Sequence, residues 1–359
     1  MITLNGFRLV PVPALSQSAA PCQENKRLRY VWLLTSLACL ALCSTAHTET
    51  TIRSPRARRI AFLIWESSFA SAIDSCNVLI SDEANNPLGY CLLGITYHSI
   101  NSQYRTNRYS DSVMAALDTA ISIADAETQD SDGYTDVPFV RGSAYGYRAL
   151  EQSSQGHWWA AFKDGHRSCK LLQAAFKQDS SLTDALLGIG DYHYWKSAKS
   201  KIVRWLPFVK DRRQLGISEI QQVTRSGGGA ALNAVKSLVP IYLDEQQDSI
   251  VVALVDSLNW SGYTDPSCLL HKTKAEIGLG NWKIATQTLA QLHQAWQDSP
   301  YFDSCGACEA EYLKACIFVG RRDENAAHEC IENIYSRRDS CQSNTYFRET
   351  VANAGKLLH

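Results

Sequence analysis

The sequence carries almost no net charge: 35 Lys and Arg stand against 36 Asp and Glu in 359 residues, and charged residues make up only 20% of it. That balance excludes a disordered acidic or basic tail and supplies no global attraction to nucleic acid, so any basic surface has to be local. Strand-like alternation of apolar and polar residues is missing over any length. Catalytic signatures are missing as well. No H-E-x-x-H, G-x-S-x-G or G-x-x-x-x-G-K-[ST] occurs, so the commonest zinc-hydrolase, serine-hydrolase and P-loop chemistries lack their residues. No cofactor or metal is expected. The 12 cysteines are too sparse for a disulfide-stapled mini-domain, and the 45% hydrophobic content can build a core of its own.

What is present begins with an export signal. Lys26, Arg27 and Arg29 precede an apolar run over residues 31–43, followed by Ser44, Thr45 and Ala46. A basic region, a short apolar region and a small-x-small site in that order define a secretory leader. Cleavage after Ala46 leaves 313 residues with 31 Lys and Arg against 35 Asp and Glu, a mildly acidic exported chain. Residues 30–46 also reach the lower length limit of a spanning anchor, and Ala38-Cys39 offers a partial lipidation signal. Residues 1–25 look like an extension ahead of the leader. Beyond Ala46 lie nine cysteines, an odd number, so at least one stays unpaired within the chain.

The rest of the sequence reads as helix. Leu182, Ala185, Leu186, Ile189, Tyr192 and Trp195 advance by three or four and fall on one helical stripe. The same spacing links Trp159, Phe162, His166, Cys169, Leu172 and Phe176; Ala285, Leu289, Leu292 and Trp296; and Ala327, Cys330, Ile331 and Ile334. Asn86-Pro87 and Asp265-Pro266 put a capping side chain before a proline suited to the first helical position. Gly280-Asn281 and Gly320-Arg321 follow apolar stripes and offer left-handed helix ends. The expectation is an all-α chain of short helical hairpins.

Leu93-Gly94 with Tyr97, Leu187-Gly188 with Tyr192, and Gly280-Asn281-Trp282 with Ala285 resemble the small and aromatic positions where paired helices meet in tetratricopeptide repeat (TPR) proteins. The segment 186–217 is similar to one in exported bacterial TPR-like proteins without an assigned activity. Comparable first-helix positions near 93, 145, 188, 237, 274 and 314 are spaced by 52, 43, 49, 37 and 40 residues instead of the TPR period of about 34. The resemblance implies an α-solenoid of about five to seven degenerate TPR-like hairpins over residues 55–345. It implies a soft joint at 226–229, a C-terminal tail or capping helix end over 346–359, and a concave surface that binds a protein segment.

Two clusters stand out against this background. Lys196, Lys199, Lys201, Arg204, Lys210, Arg212 and Arg213 surround a lone Asp211, beside an apolar Trp205-Leu206-Pro207-Phe208. They form either a docking patch for an acidic protein segment, anionic lipid headgroups or a polyanion, or a solvated rim over a core plug. Tyr192, His193 and Trp195, with Trp158 and Trp159, are candidate contacts on the inner face, or ordinary packing. Cys305-Gly306-Ala307-Cys308 is the second cluster. A C-x-x-C at a helix start can favour a thiolate, yet no apolar strand precedes it, so a structural disulfide is the expectation. Cys316 and Cys330 are the expected long-range pair. The function this suggests is a non-catalytic adaptor of the bacterial cell envelope, periplasmic or membrane-anchored, with a protein partner and no nucleic acid. The alternatives are a helical module for a small ligand or lipid, and a thiol-redox protein.

Overall fold

A computed structural model of the chain describes residues 50–127, 136–199, 210–227, 229–259 and 265–357. The leader or anchor and the extension before it lie outside the described residues, as do Lys201, Arg204 and Trp205. The described residues are helical with no strand. In chain order the helices are α1 (Pro55–Trp65), α2 (Phe69–Asp82), α3 (Pro87–Tyr104), α4 (Ser110–Glu127), α5 (Val137–Ser154), α6 (Trp158–Gln178), α7 (Ala185–Lys199) and α8 (Arg213–Ser226). They continue with α9 (Ala231–Asp244), α10 (Asp248–Asn259), α11 (Pro266–Gly278), α12 (Trp282–Gln297), α13 (Cys308–Gly320), α14 (Glu324–Ser336), the single turn α15 (Arg338–Cys341) and α16 (Thr345–Leu357).

Local chemistry sets these boundaries. Asn86 and Asp265 each accept a hydrogen bond from the backbone N–H two residues on, at Leu88 and Ser267, with proline at the first helical position. Gly280 ends α11 in the left-handed region at φ 74°. The corresponding end of α13 differs from expectation: Arg322, at φ 62°, takes the left-handed position. Gly320 stays helical and is small because the Trp282 ring packs where its Cβ would stand.

Helices pack chiefly on their neighbours in sequence, as an array of hairpins must. The six first-helix positions read from the sequence fall one each on α3, α5, α7, α9, α11 and α13. The stripe Ala285, Leu289, Leu292 and Trp296 is buried, as is Ala327, Cys330, Ile331 and Ile334. At Gly94, α3 approaches α4 so closely that an added Cβ would stand 2.6 Å from Leu117. Each hairpin exposes an apolar face, and only stacking covers it.

The array does not remain an open superhelix. Its first helices form one core with α11, α12 and α13, in which Leu269, Leu270, Leu292 and Trp296 join Ile60, Phe69, Ile100 and Leu117. Polar groups fasten this seam. Trp296 Nε1 donates to Gln103 O at 2.8 Å, and Thr106 Oγ1 donates to Asp303 Oδ2 at 2.7 Å. Lys236 reaches Asp265 at 2.6 Å and donates to Trp65 O at 3.1 Å. Arg105, left-handed at φ 52° beyond α3, pairs with Glu309 at 2.5 Å, and Lys274 meets the other carboxylate oxygen at 2.6 Å. The Arg105 guanidinium also lies 4.0 Å from the centroid of Tyr346 on α16. The N-terminal hairpins are thereby held against later ones.

Candidate functional site

The inner side of this arrangement is a chamber of about 1800 Å³, walled by α1, α3, α5, α6 and α7 with the starts of α8 and α9. Helix α6 shows how the sequence builds it. Leu172 is wedged between Gly142 of α5 and Gly188 of α7. Two to four turns earlier the same stripe carries Phe162 and Trp159, which stand 47% and 82% exposed at the chamber edge. Trp158 beside them is 57% exposed. Phe62, Leu150 and Leu232 are also exposed and also line the chamber, so half of the large apolar side chains exposed among the described residues gather there.

Helix α7 supplies the polar part. His193 is buried; its Nδ1 lies 2.7 Å from Glu219 Oε2, and Arg212 Nη1 approaches its Nε2 at 3.4 Å. The Tyr192 hydroxyl meets His166 Nδ1 at 3.0 Å. One turn on, Lys196 places its ammonium over Tyr192 at 5.2 Å and near Phe162 at 6.0 Å. Lys199 lies 5.7 Å from both Trp158 and Trp195. Spacing by three and four stacks these residues along one side of the helix. Neither lysine has a carboxylate at ion-pair distance among the described residues. Arg213, by contrast, is held by Asp211 and Glu245 at 2.9 and 2.6 Å.

Two carboxylates also line the chamber, and burial pushes both toward their neutral forms. Asp191 is raised to about 6, with a hydrogen bond from Ser237 offsetting part of the effect, and Asp184 is raised as well. The chamber edge therefore carries the cations of α7, while its carboxyls sit in the buried part of the wall.

Tyr192, His193, Trp195, Lys196 and Lys199 thus share one site with Trp158 and Trp159, and Lys210 and Arg212 join them. The opposite wall, with Phe62, Leu88, Leu92 and Phe139, has no signal in the sequence, because those residues belong to earlier helices whose apolar stripes look like any core.

The expected pair of Cys316 with Cys330 is not formed, and the disulfide of the C-x-x-C segment runs from Cys305 to a distant cysteine. Cys305 bonds to Cys341 of α15, with Cα atoms 5.4 Å apart, and Cys308, Cys316 and Cys330 remain thiols. Cys305 lies in the turn ahead of α13. Cys308 begins the helix and turns inward, with its Sγ 3.6 Å from Ser304 O, so the two sulfurs diverge. Burial raises the thiols of Cys308, Cys316 and Cys330, the reverse of what a reactive thiolate needs. No cluster of three metal-ligating side chains occurs among the described residues.

No family model matches the chain, and no curated protein matches it. Among solved structures, the chain is similar to a tetratricopeptide repeat protein from Parabacteroides merdae at 12% identity, with a TM-score of 0.39 over 83% of this chain and 97% of that one. From its own helix pairs, small-residue contacts and seam, the chain is an all-α array of helical hairpins that lines a large, partly open apolar chamber.

Proposed function

We propose that this chain is a non-catalytic binding module of the bacterial cell envelope that seats a guest in the chamber between α1, α3, α5, α6 and α7. The observation that carries this reading is the gathering of half of the exposed large apolar side chains at that one place. Monomeric surfaces rarely tolerate such patches unless something covers them. The leader read over residues 26–46 supports export, and the charge balance gives nucleic acid no foothold. The buried, raised thiols around Cys305–Cys341 speak against thiol-redox chemistry.

A protein segment as guest is a second reading, favoured by the protrusion of Trp158 and Trp159, the residue type that most often anchors an interface. Either guest would be lost on filling the chamber. The test is to recover the full-length chain from cells after in-cell crosslinking, as wild type and as Ala161→Trp, which adds an indole to the wall. A small molecule seen by native mass spectrometry, or a crosslinked protein, should accompany only the wild type at equal helicity. Identical associates in both samples would overturn the chamber as the binding site.

A further inference from the structure

The proposed binding role leaves the guest's chemistry open, and the chamber's shape and charge narrow it. Its volume of about 1800 Å³ exceeds the roughly 300–1,000 Å³ of sites for compact small molecules. A metabolite-sized guest would leave most of the apolar wall wet, whereas a long flexible chain can cover it, each methylene gaining about 0.8 kcal/mol of transfer free energy. A neutral hydrocarbon would leave the cations at the edge unanswered. Lys196 and Lys199 follow one another by three residues on α7, both exposed, both resting on aromatic rings and neither ion-paired among the described residues. Ring faces restrain the two long side chains, so less rotamer freedom remains to be lost when an anion arrives.

Resting on the reading of the chamber as the binding site, we infer that the guest is an anionic amphiphile: its acyl chain lies against the apolar wall and its carboxylate or phosphate head sits between Lys196 and Lys199 at the edge. A fatty acid and a lysophospholipid share this chemistry and differ in the head. Asp184 and Asp191 also face the chamber, so the head is placed at the lysine edge and not deep beside these carboxyls. Trp158 and Phe162 then serve as the apolar shoulder over the first carbons of the chain.

The experiment titrates the full-length, delipidated chain with a dansyl-labelled undecanoate and displaces it with palmitate, lysophosphatidate and uncharged methyl palmitate. The probe should bind with a blue shift, and an anionic competitor should displace it at least tenfold better than the methyl ester. Whichever anion is stronger identifies the head. Lys196→Glu with Lys199→Glu should weaken the anions about tenfold or more, about 1.4 kcal/mol per factor of ten, and leave the methyl ester unchanged. Lys196→Ala with Lys199→Ala should show the same order with a smaller loss, and Ala161→Trp should weaken all three. Absence of probe binding to the wild type, or equal displacement by the methyl ester, overturns the inference, as does an unchanged anion affinity in both lysine variants. Should the probe fail while a crosslinked protein still depends on Ala161, the chamber stands with a peptide guest and the amphiphile is wrong. If Ala161→Trp changes neither, the chamber itself falls.

Discussion

Glu309 is the residue on which closure of the array should most visibly depend. It sits 7% exposed between Arg105 at 2.5 Å and Lys274 at 2.6 Å, joining the end of α3 to α11 and α13. Burial alone would raise its carboxyl, but the two cations overcome that and hold it down at about 2. Its folded-state value is thus depressed, so its charged form adds stability that is present above 4.5 and lost as pH falls toward about 2. A drop of that size corresponds to roughly 3 kcal/mol. Removing one partner of a buried pair costs about 3–5 kcal/mol, because the remaining charge is left uncompensated. Glu309→Gln keeps the shape and removes the charge, so at about pH 7 it should lose roughly 3 kcal/mol in urea unfolding followed by far-UV circular dichroism. Near pH 3 the difference between wild type and variant should shrink, because Glu309 of the unfolded chain protonates below 4.5 while the folded carboxyl is still charged. His271, which burial lowers from 6.5 to about 4, also destabilises the fold on acidification. The Glu309 carboxylate is one of the charges that raise His271, so the acid limb of the difference reads the coupled Glu309–His271 pair, and the loss at neutral pH is what reads Glu309 alone. A variant within about 1 kcal/mol of wild type at neutral pH, or a difference that does not narrow in acid, would refute the seam as an electrostatic clasp.

The disulfide and the helix contacts make further claims. Cys305–Cys341 closes a loop with a sequence separation of 36, so its loss in Cys341→Ser should cost about 4 kcal/mol by the chain-entropy relation. Peptide mapping of the alkylated chain should recover Cys305 joined to Cys341; a Cys305–Cys308 peptide would refute the pairing. Gly94→Ala places a methyl 2.6 Å from Leu117, which is wholly buried, and should cost about 1–3 kcal/mol. A midpoint equal to wild type in urea would show that α3 and α4 separate freely.

The sequence by itself determined the all-α character, the helix starts at Asn86 and Asp265, the buried stripes of α12 and α14, and the six first-helix positions. These are local properties, set by side-chain periodicity and by capping within a turn. The α7 half of the chamber was legible for the same reason, since Tyr192, Trp195, Lys196 and Lys199 follow helical spacing. Periodicity identifies a buried face without naming what covers it. It does not show that α11–α13 share a core with α1–α3, nor that α1, α3 and α5 face α6 and α7 across a chamber. Trp159 and Trp296 both look like core residues on their stripes, yet one is 82% exposed and the other 1%. The cysteine partner, the far wall of Phe62 and Phe139, and the Arg105–Glu309–Lys274 clasp were likewise decided only in the tertiary structure. The disulfide depends on how one hairpin closes, and the wall and clasp on how successive hairpins stack, neither of which a short window of residues contains.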